Sequence, residues 1–195
     1  MTGTAARRQL AQGSASSDEH LIRRCLENDA QAWSTLIDKY KNLIYSIAIK
    51  LGMHQDAGDI FQAVCVTLFS KLSELREHRA LPKWLMQTCY HECLQHQRIG
   101  SRHTGLEPAH LDHLLSTESL PEQMLVQLEQ EQALREAIAE MPSRCARMIH
   151  MLFFETPSRP YAEVANALGL AEGSIGFIRG RCLARLRKHL EAKVF

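Results

Sequence analysis

The sequence is short of several things on which folds and functions are commonly built. Aromatic residues make up only 6% of the 195 positions. No stretch alternates apolar and polar residues as a half-buried strand would, so nothing here supplies a sheet. No run of about eighteen apolar residues exists, which excludes a helix spanning a membrane and membrane insertion with it. The opening MTGTAARRQLAQGSASS has two arginines but no apolar stretch after them. It is therefore expected to be a disordered leader over 1–17, not a secretory signal. Acids and bases nearly cancel, 22 against 23, so no overall charge points to a partner. No phosphate-cradling loop, nucleophile–base pair or paired-carboxylate pattern occurs; neither enzymatic activity nor a cofactor is expected. The six cysteines lie inside apolar helical stripes, not in loops. That usage suits reduced, buried thiols of a cytoplasmic protein and argues against a disulfide framework.

What is present reads almost wholly as helix. Asp18–Leu26 forms a short helix, with Ser16 or Ser17 suited to cap it, and Asn28-Asp29 breaks it. A long amphipathic helix follows, turning Trp33, Leu36, Ile37, Tyr40, Leu43, Ile44, Ile47 and Leu51 to one side and ending at Gly52. Asp56 opens the next, with Ala57, Ile60, Phe61, Val64, Cys65, Leu68, Phe69 and Leu72 as its inner stripe. The polar SELREHRAL then leads through Pro82 into a helix over 83–98. From Gly100 to Ser119 the period stops, and the segment reads as a linker. Pro121 and Pro142 suit the starts of helices reaching about Glu140 and Phe154. The expected fold class is all-α: two small helical domains, 18–99 and 121–195, joined by a flexible linker over 100–120.

The most informative segment is PYAEVANALGLAEGSIGFIRGRCLARLRK, Pro160 to Lys188. Ala165 is small where two helices must approach, Gly169 stands where a turn needs positive φ, and Val164, Leu168, Leu170, Ile175 and Ile178 supply apolar contacts. This is the order of a helix-turn-helix, although an ordinary helical hairpin shares part of it. From Gly173 to Leu190 the only charged residues are Arg179, Arg181, Arg185, Arg187 and Lys188, beside His189. Glutamates dominate the preceding fifty residues, so positive charge is concentrated on one helix, the footprint a duplex backbone requires. A helical projection puts Ile175, Ile178, Cys182, Leu186 and Leu190 in a buried stripe. Ser174, Phe177, Arg181, Arg185 and Lys188 form an outward one, with no acids at i, i+4 spacing to make it a mere solvated face.

Three segments in order carry a resemblance: DAGDIFQAVCVTLFSKL, WLMQTCYHECLQHQR, and MPSRCARMIHMLFFE followed by PYAEVANALGLAEGSIGFIRGRCLARLRKHL. Together they resemble bacterial RNA polymerase sigma factors of the extracytoplasmic-function (ECF) class of the sigma-70 family. The resemblance implies a subunit that binds core RNA polymerase and directs it to promoter DNA, with 18–99 similar to sigma region 2 and 121–195 to sigma region 4. On that likeness Asp56, Asp59, Gln62 and Val66 would meet the polymerase clamp. Lys83, Trp84, His91, Gln95 and Arg98 would engage the unwound minus-ten strand, although Trp84 equally suits the core. Ser174, Phe177, Arg181, Arg185, Arg187 and Lys188 would meet the minus-thirty-five duplex, Arg181 at a base and Arg185, Arg187 and Lys188 at phosphates.

The chain departs from the family at His91, often Asn there, and at Gln95, usually Asp. It departs again at Gly176 and Gly180, where longer polar side chains are common, and those glycines suggest a close backbone approach to DNA or to a neighbouring helix. An anti-sigma factor is a further partner the family admits. The alternative from the residues alone is a conventional helix-turn-helix regulator that works without polymerase; a docking module that binds no DNA is a third. Cys89, Cys93 and His96 share one helical face, which suits part of a zinc site but better suits a packed core, and no metal is expected. The linker histidines His103, His110 and His113 are titratable near neutral pH.

Overall fold

The computed structural model describes residues 18–104 and 120–194. The leader at 1–17, its capping serines and most of the linker, with His110 and His113, lie outside the described residues, as does the side chain of His103. Every regular element described is helical: α1 (Asp18–Leu26), α2 (Ala30–Lys50), α3 (Ala57–Lys71), α4 (Leu81–Thr104), α5 (Glu122–Ala139), α6 (Ser143–Phe153), α7 (Tyr161–Leu168) and α8 (Ile175–Val194). Short 3-10 turns at Leu72–Glu74, His78–Ala80 and Glu172–Ser174 connect them. None of the described helices is long and apolar enough to cross a membrane.

The chain divides into two compact units that part between Gln130 and Glu131. In the first, α2 packs against α1, α3 and α4. Asn28 adopts φ 62 and ends α1, a left-handed turn that Asn tolerates better than most side chains. Asp29 then caps α2, its Oδ1 accepting from the Gln31 and Ala32 amides at 2.9 and 3.1 Å. Its Oδ2 receives the Arg24 guanidinium at 2.6 Å, so one carboxylate ties the end of α1 to the start of α2. Asp18 fixes the other end of α1, accepting from Lys39 Nζ and the Tyr40 hydroxyl, both at 2.7 Å. Between them Ile22, Leu36, Leu43, Ile47, Ile60, Leu81 and Leu85 are fully enclosed, each burial contributing about 1.5–3 kcal/mol.

Three expectations about this unit need correction. Phe69, expected on the inner stripe of α3, is 66% exposed, since the stripe on α3 is narrow and Val64 and Leu68 already fill it. The domain boundary expected at 120/121 falls inside α5 instead. Leu120 and Leu128 are buried in the first core, and Met124 and Leu125 pack against it. The Leu120 amide also donates to Gln87 Oε1 at 3.1 Å. α5 carries two apolar sets, and the earlier one is covered by the first unit. α4 likewise runs past its expected end at Arg98, to Thr104.

The second unit is built from the rest of α5 with α6, α7 and α8. Its core joins Ala137, Met141, Met148, Ile149, Val164, Ala165, Leu168, Ile175, Cys182 and Leu186. α7 ends on Gly169 at φ 64, the left-handed C-terminal cap for which Gly has no steric penalty. The Gly169 and Leu170 amides close the turn onto Asn166 and Ala165. The expectation of reduced thiols throughout fails here, for Cys145 of α6 and Cys182 of α8 are joined by a disulfide. They stand 37 positions apart in sequence, and only the packing of α6 on α8 brings them together.

Candidate functional site

The charge-bearing face of α8 is set by its buried one. Ile175, Cys182 and Leu186 are enclosed, with Ile178 and Leu190 half-buried against the core, so the stripe expected from the projection is the one that packs. The opposite face is thereby held outward. Phe177 is 70% exposed, and Arg181, Arg185, Arg187 and Lys188 are exposed with it. The Arg181 guanidinium lies over the Phe177 ring. Ser174 sits half-buried in the 3-10 turn before α8, its hydroxyl donating to the Ala171 carbonyl at 2.6 Å, which orients the first turn of the helix.

The cations are not equivalent. Arg179 turns inward, its guanidinium donating to the Tyr161 hydroxyl and stacking on that ring, and so braces α8 on α7. Arg187 donates to Glu191 Oε1 at 2.8 Å. An acid at i, i+4 therefore does exist on this helix, one residue beyond the stretch in which none was expected. Among the described residues Arg185 and Lys188 have no ion pair, and Arg181 has only its ring contact. Gly176 and Gly180 are exposed, and a Cβ at either would meet nothing within 4 Å. The neighbouring-helix explanation for these glycines is thus removed. What remains is bare helix backbone on both sides of Phe177, open to any approaching ligand.

A second surface lies on α3 of the first unit. Asp59, Gln62 and Val66 are exposed at i, i+3, i+7, as their spacing implies, while Asp56 is half-buried at the start of the helix without a side-chain cap bond. Phe69 continues the same line at i+10. Beside Val66 and Phe69 is an apolar groove of about 500 Å³, bordered also by Asn28, Trp33, Ile37 and Cys65. Trp33 tilts against Phe69 with ring centroids 5.2 Å apart, and its indole nitrogen donates to the Cys25 carbonyl at 3.1 Å. Trp33 and Phe69 escaped sequence reasoning because apolar residues at helical spacing default to the core. The outward line through Asp59, Gln62 and Val66 was the signal that could have found Phe69.

The third surface is on α4. Lys83, Gln87, His91 and Gln95 follow one another at i+4, with Arg98 closing the row. All but Gln87 are exposed. Gln87, which sequence reasoning passed over, places its Nε2 donor 2.9 Å from His91 Nε2 and accepts from the Leu120 amide. Trp84 is half-buried against the core, bordering a small gap with Leu68, Leu72 and Leu81. Cys89 and Cys93 face away from this row and are fully buried. The hydrogen bond with Cys93, then burial, pushes the Cys89 thiol far above its ordinary range. No group of three or more metal-ligating side chains is assembled among the described residues; His96 is half-buried.

No protein-family model matches this sequence, and no curated protein matches it.

Proposed function

We propose that this chain is a promoter-specificity subunit of bacterial RNA polymerase, a sigma factor that binds the core enzyme and directs transcription initiation. The observation that carries the reading is the face of α8: Phe177, Arg181, Arg185 and Lys188 stand exposed together, backed by a helix whose other side is packed. Two arginines and a lysine in one row suit the major groove of a duplex. Arginine offers two donors to guanine O6 and N7, and the remaining cations hold phosphates. α7 and α8, joined at Gly169, act in this reading as a helix-turn-helix.

The first unit supplies the other two contacts. Asp59, Gln62, Val66 and Phe69 present a carboxylate, an amide and two apolar groups beside a groove, a mixture suited to a protein partner. That partner is the polymerase clamp. The row Lys83, His91, Gln95 and Arg98, with Trp84 at its start, offers charge and planar groups to an unwound strand. Each contact is weak alone; joined in one chain they gain by effective concentration when the promoter elements match their spacing. Working with polymerase places the protein in the cytoplasm, where an anti-sigma factor would be its natural inhibitor.

The test is a pull-down of core RNA polymerase by the wild type and by Asp59→Ala/Gln62→Ala. Stoichiometric capture by the wild type, reduced in the double variant, is the expected result. Retained duplex binding with no polymerase capture from either protein would instead identify a conventional regulator.

A further inference from the structure

The cysteines fall into two groups. Cys25, Cys89 and Cys93 are buried and Cys65 half-buried, and all four are free thiols. Burial pushes the Cys25 thiol up to about 11 and raises that of Cys65 as well. Thiols held protonated in this way exchange slowly. Cys145 and Cys182 differ in being bonded to each other. α6 and α8 hold their Cα atoms 5.4 Å apart, inside the range of about 4.4–6.8 Å that a disulfide spans. Cys145 is the third residue of α6 and only half-buried, so it is the more open end of the bond, and it lies at a helix N-terminus, which favours a thiolate. Cys182 is 1% exposed and sits midway along the packed stripe of α8.

We propose that Cys145 and Cys182 form a reversible redox site, a disulfide opened by a dithiol reductant, which sets how firmly α8 is held in its unit. A thiolate of the reductant attacks the sulfur of Cys145, the more exposed partner; the bond to Cys182 breaks and Cys182 leaves, taking up a proton. The reductant's second thiol then displaces Cys145. Overall the pair gains two electrons and two protons, and the dithiol becomes a disulfide. Re-oxidation is the reverse exchange with a small disulfide such as oxidised glutathione. The reduced unit keeps its apolar core, because Met148, Ile149, Val164, Ile175 and Leu186 still pack. It loses the crosslink closing 37 positions of chain, which limits the freedom of the unfolded state.

The experiment equilibrates the full-length chain in graded mixtures of reduced and oxidised glutathione, traps free thiols by alkylation and reads them by mass spectrometry. Cys145 and Cys182 should become alkylated together at intermediate mixtures. The reduced protein should melt lower by roughly 10 °C, and Cys145→Ser should melt with the reduced form and ignore the mixture. Two results would overturn the proposal: a pair that stays bonded in the folded protein under excess dithiol, or one that never forms under excess oxidised glutathione. Comparing the two states of the wild type keeps the test decisive if the variant does not fold. Thiol trapping involves no nucleic acid, so its failure would leave the promoter-binding reading where it stands.

Discussion

The Arg181 guanidinium lies over the exposed Phe177 ring, 5.8 Å from its centroid, one helical turn along α8. The ring thereby limits where the arginine can point, which suits a side chain asked to meet one base edge. Arg181→Ala should cost about 1–3 kcal/mol of duplex affinity and relax preference at a single position. Lys188→Ala should weaken binding to all sequences alike and lower the salt slope by about one ion. Replacing thymines by deoxyuridines in the site removes only methyl groups, and should weaken the wild type but not Phe177→Ala. Fluorescence anisotropy at several salt concentrations separates these cases; equal losses for Arg181→Ala on every sequence would make it a phosphate contact.

The glycines beside Phe177 set stability against recognition. Gly176 and Gly180 are helical and open, so alanine at either should stabilise the second unit by about 1 kcal/mol. If bare backbone there meets DNA, the same substitutions should lower duplex affinity. Thermal melting and anisotropy on the same preparations give the answer, and a variant that gains in both would exclude close backbone approach.

Asp29 gives the first unit a defined acid response. The Arg24 guanidinium, then the Ala32 and Gln31 amides, holds its carboxyl below the ordinary value of 3.8. Above that value the group is charged in both folded and unfolded chains and its bonds contribute in full. As acid is added the unfolded chain takes up the proton first, so the contribution fades as pH falls through the lower folded value. Asp29→Asn keeps a capping oxygen but gives up the charge. It should melt below the wild type at neutral pH and converge with it between about pH 5 and pH 2. Parallel curves over that window would assign the stability to the cap alone.

Leu128, fully buried, tests where the first unit ends. Leu128→Ala in the full-length chain should destabilise that unit by about 2–5 kcal/mol. Hydrogen exchange of the α2 amides is the readout, because they belong to the core Leu128 completes. Unchanged α2 protection would return residues 121–130 to the second unit.

Helix content and the packed stripe of α8 were legible because a 3.6-residue period with turn glycines needs no tertiary information. Asn28, Gly52 and Gly169 end their helices where local chemistry says they should. The failures share one cause. Phe69 reads as core because apolar spacing cannot say when a stripe is already full. The reach of α5 into the first core depends on which unit offers cover to Leu120 and Leu128. The Cys145–Cys182 pair needs α6 laid on α8. Of the surfaces, the α8 row was readable since charge and phase agreed, whereas the groove at Trp33 and the Gln87 bridge exist only once helices pack.

Trp33 borders the α3 groove and Trp84 begins the α4 row, and these are the chain's 2 tryptophans. Each proposed contact of the first unit therefore has its own tryptophan, while the second unit has none. A partner entering the groove should shift the Trp33 spectrum, a base stacking at α4 should quench Trp84, and a duplex held by α8 alone should leave the emission silent. Trp33→Phe and Trp84→Phe would isolate the two signals, letting the order in which the surfaces fill be followed in unlabelled protein.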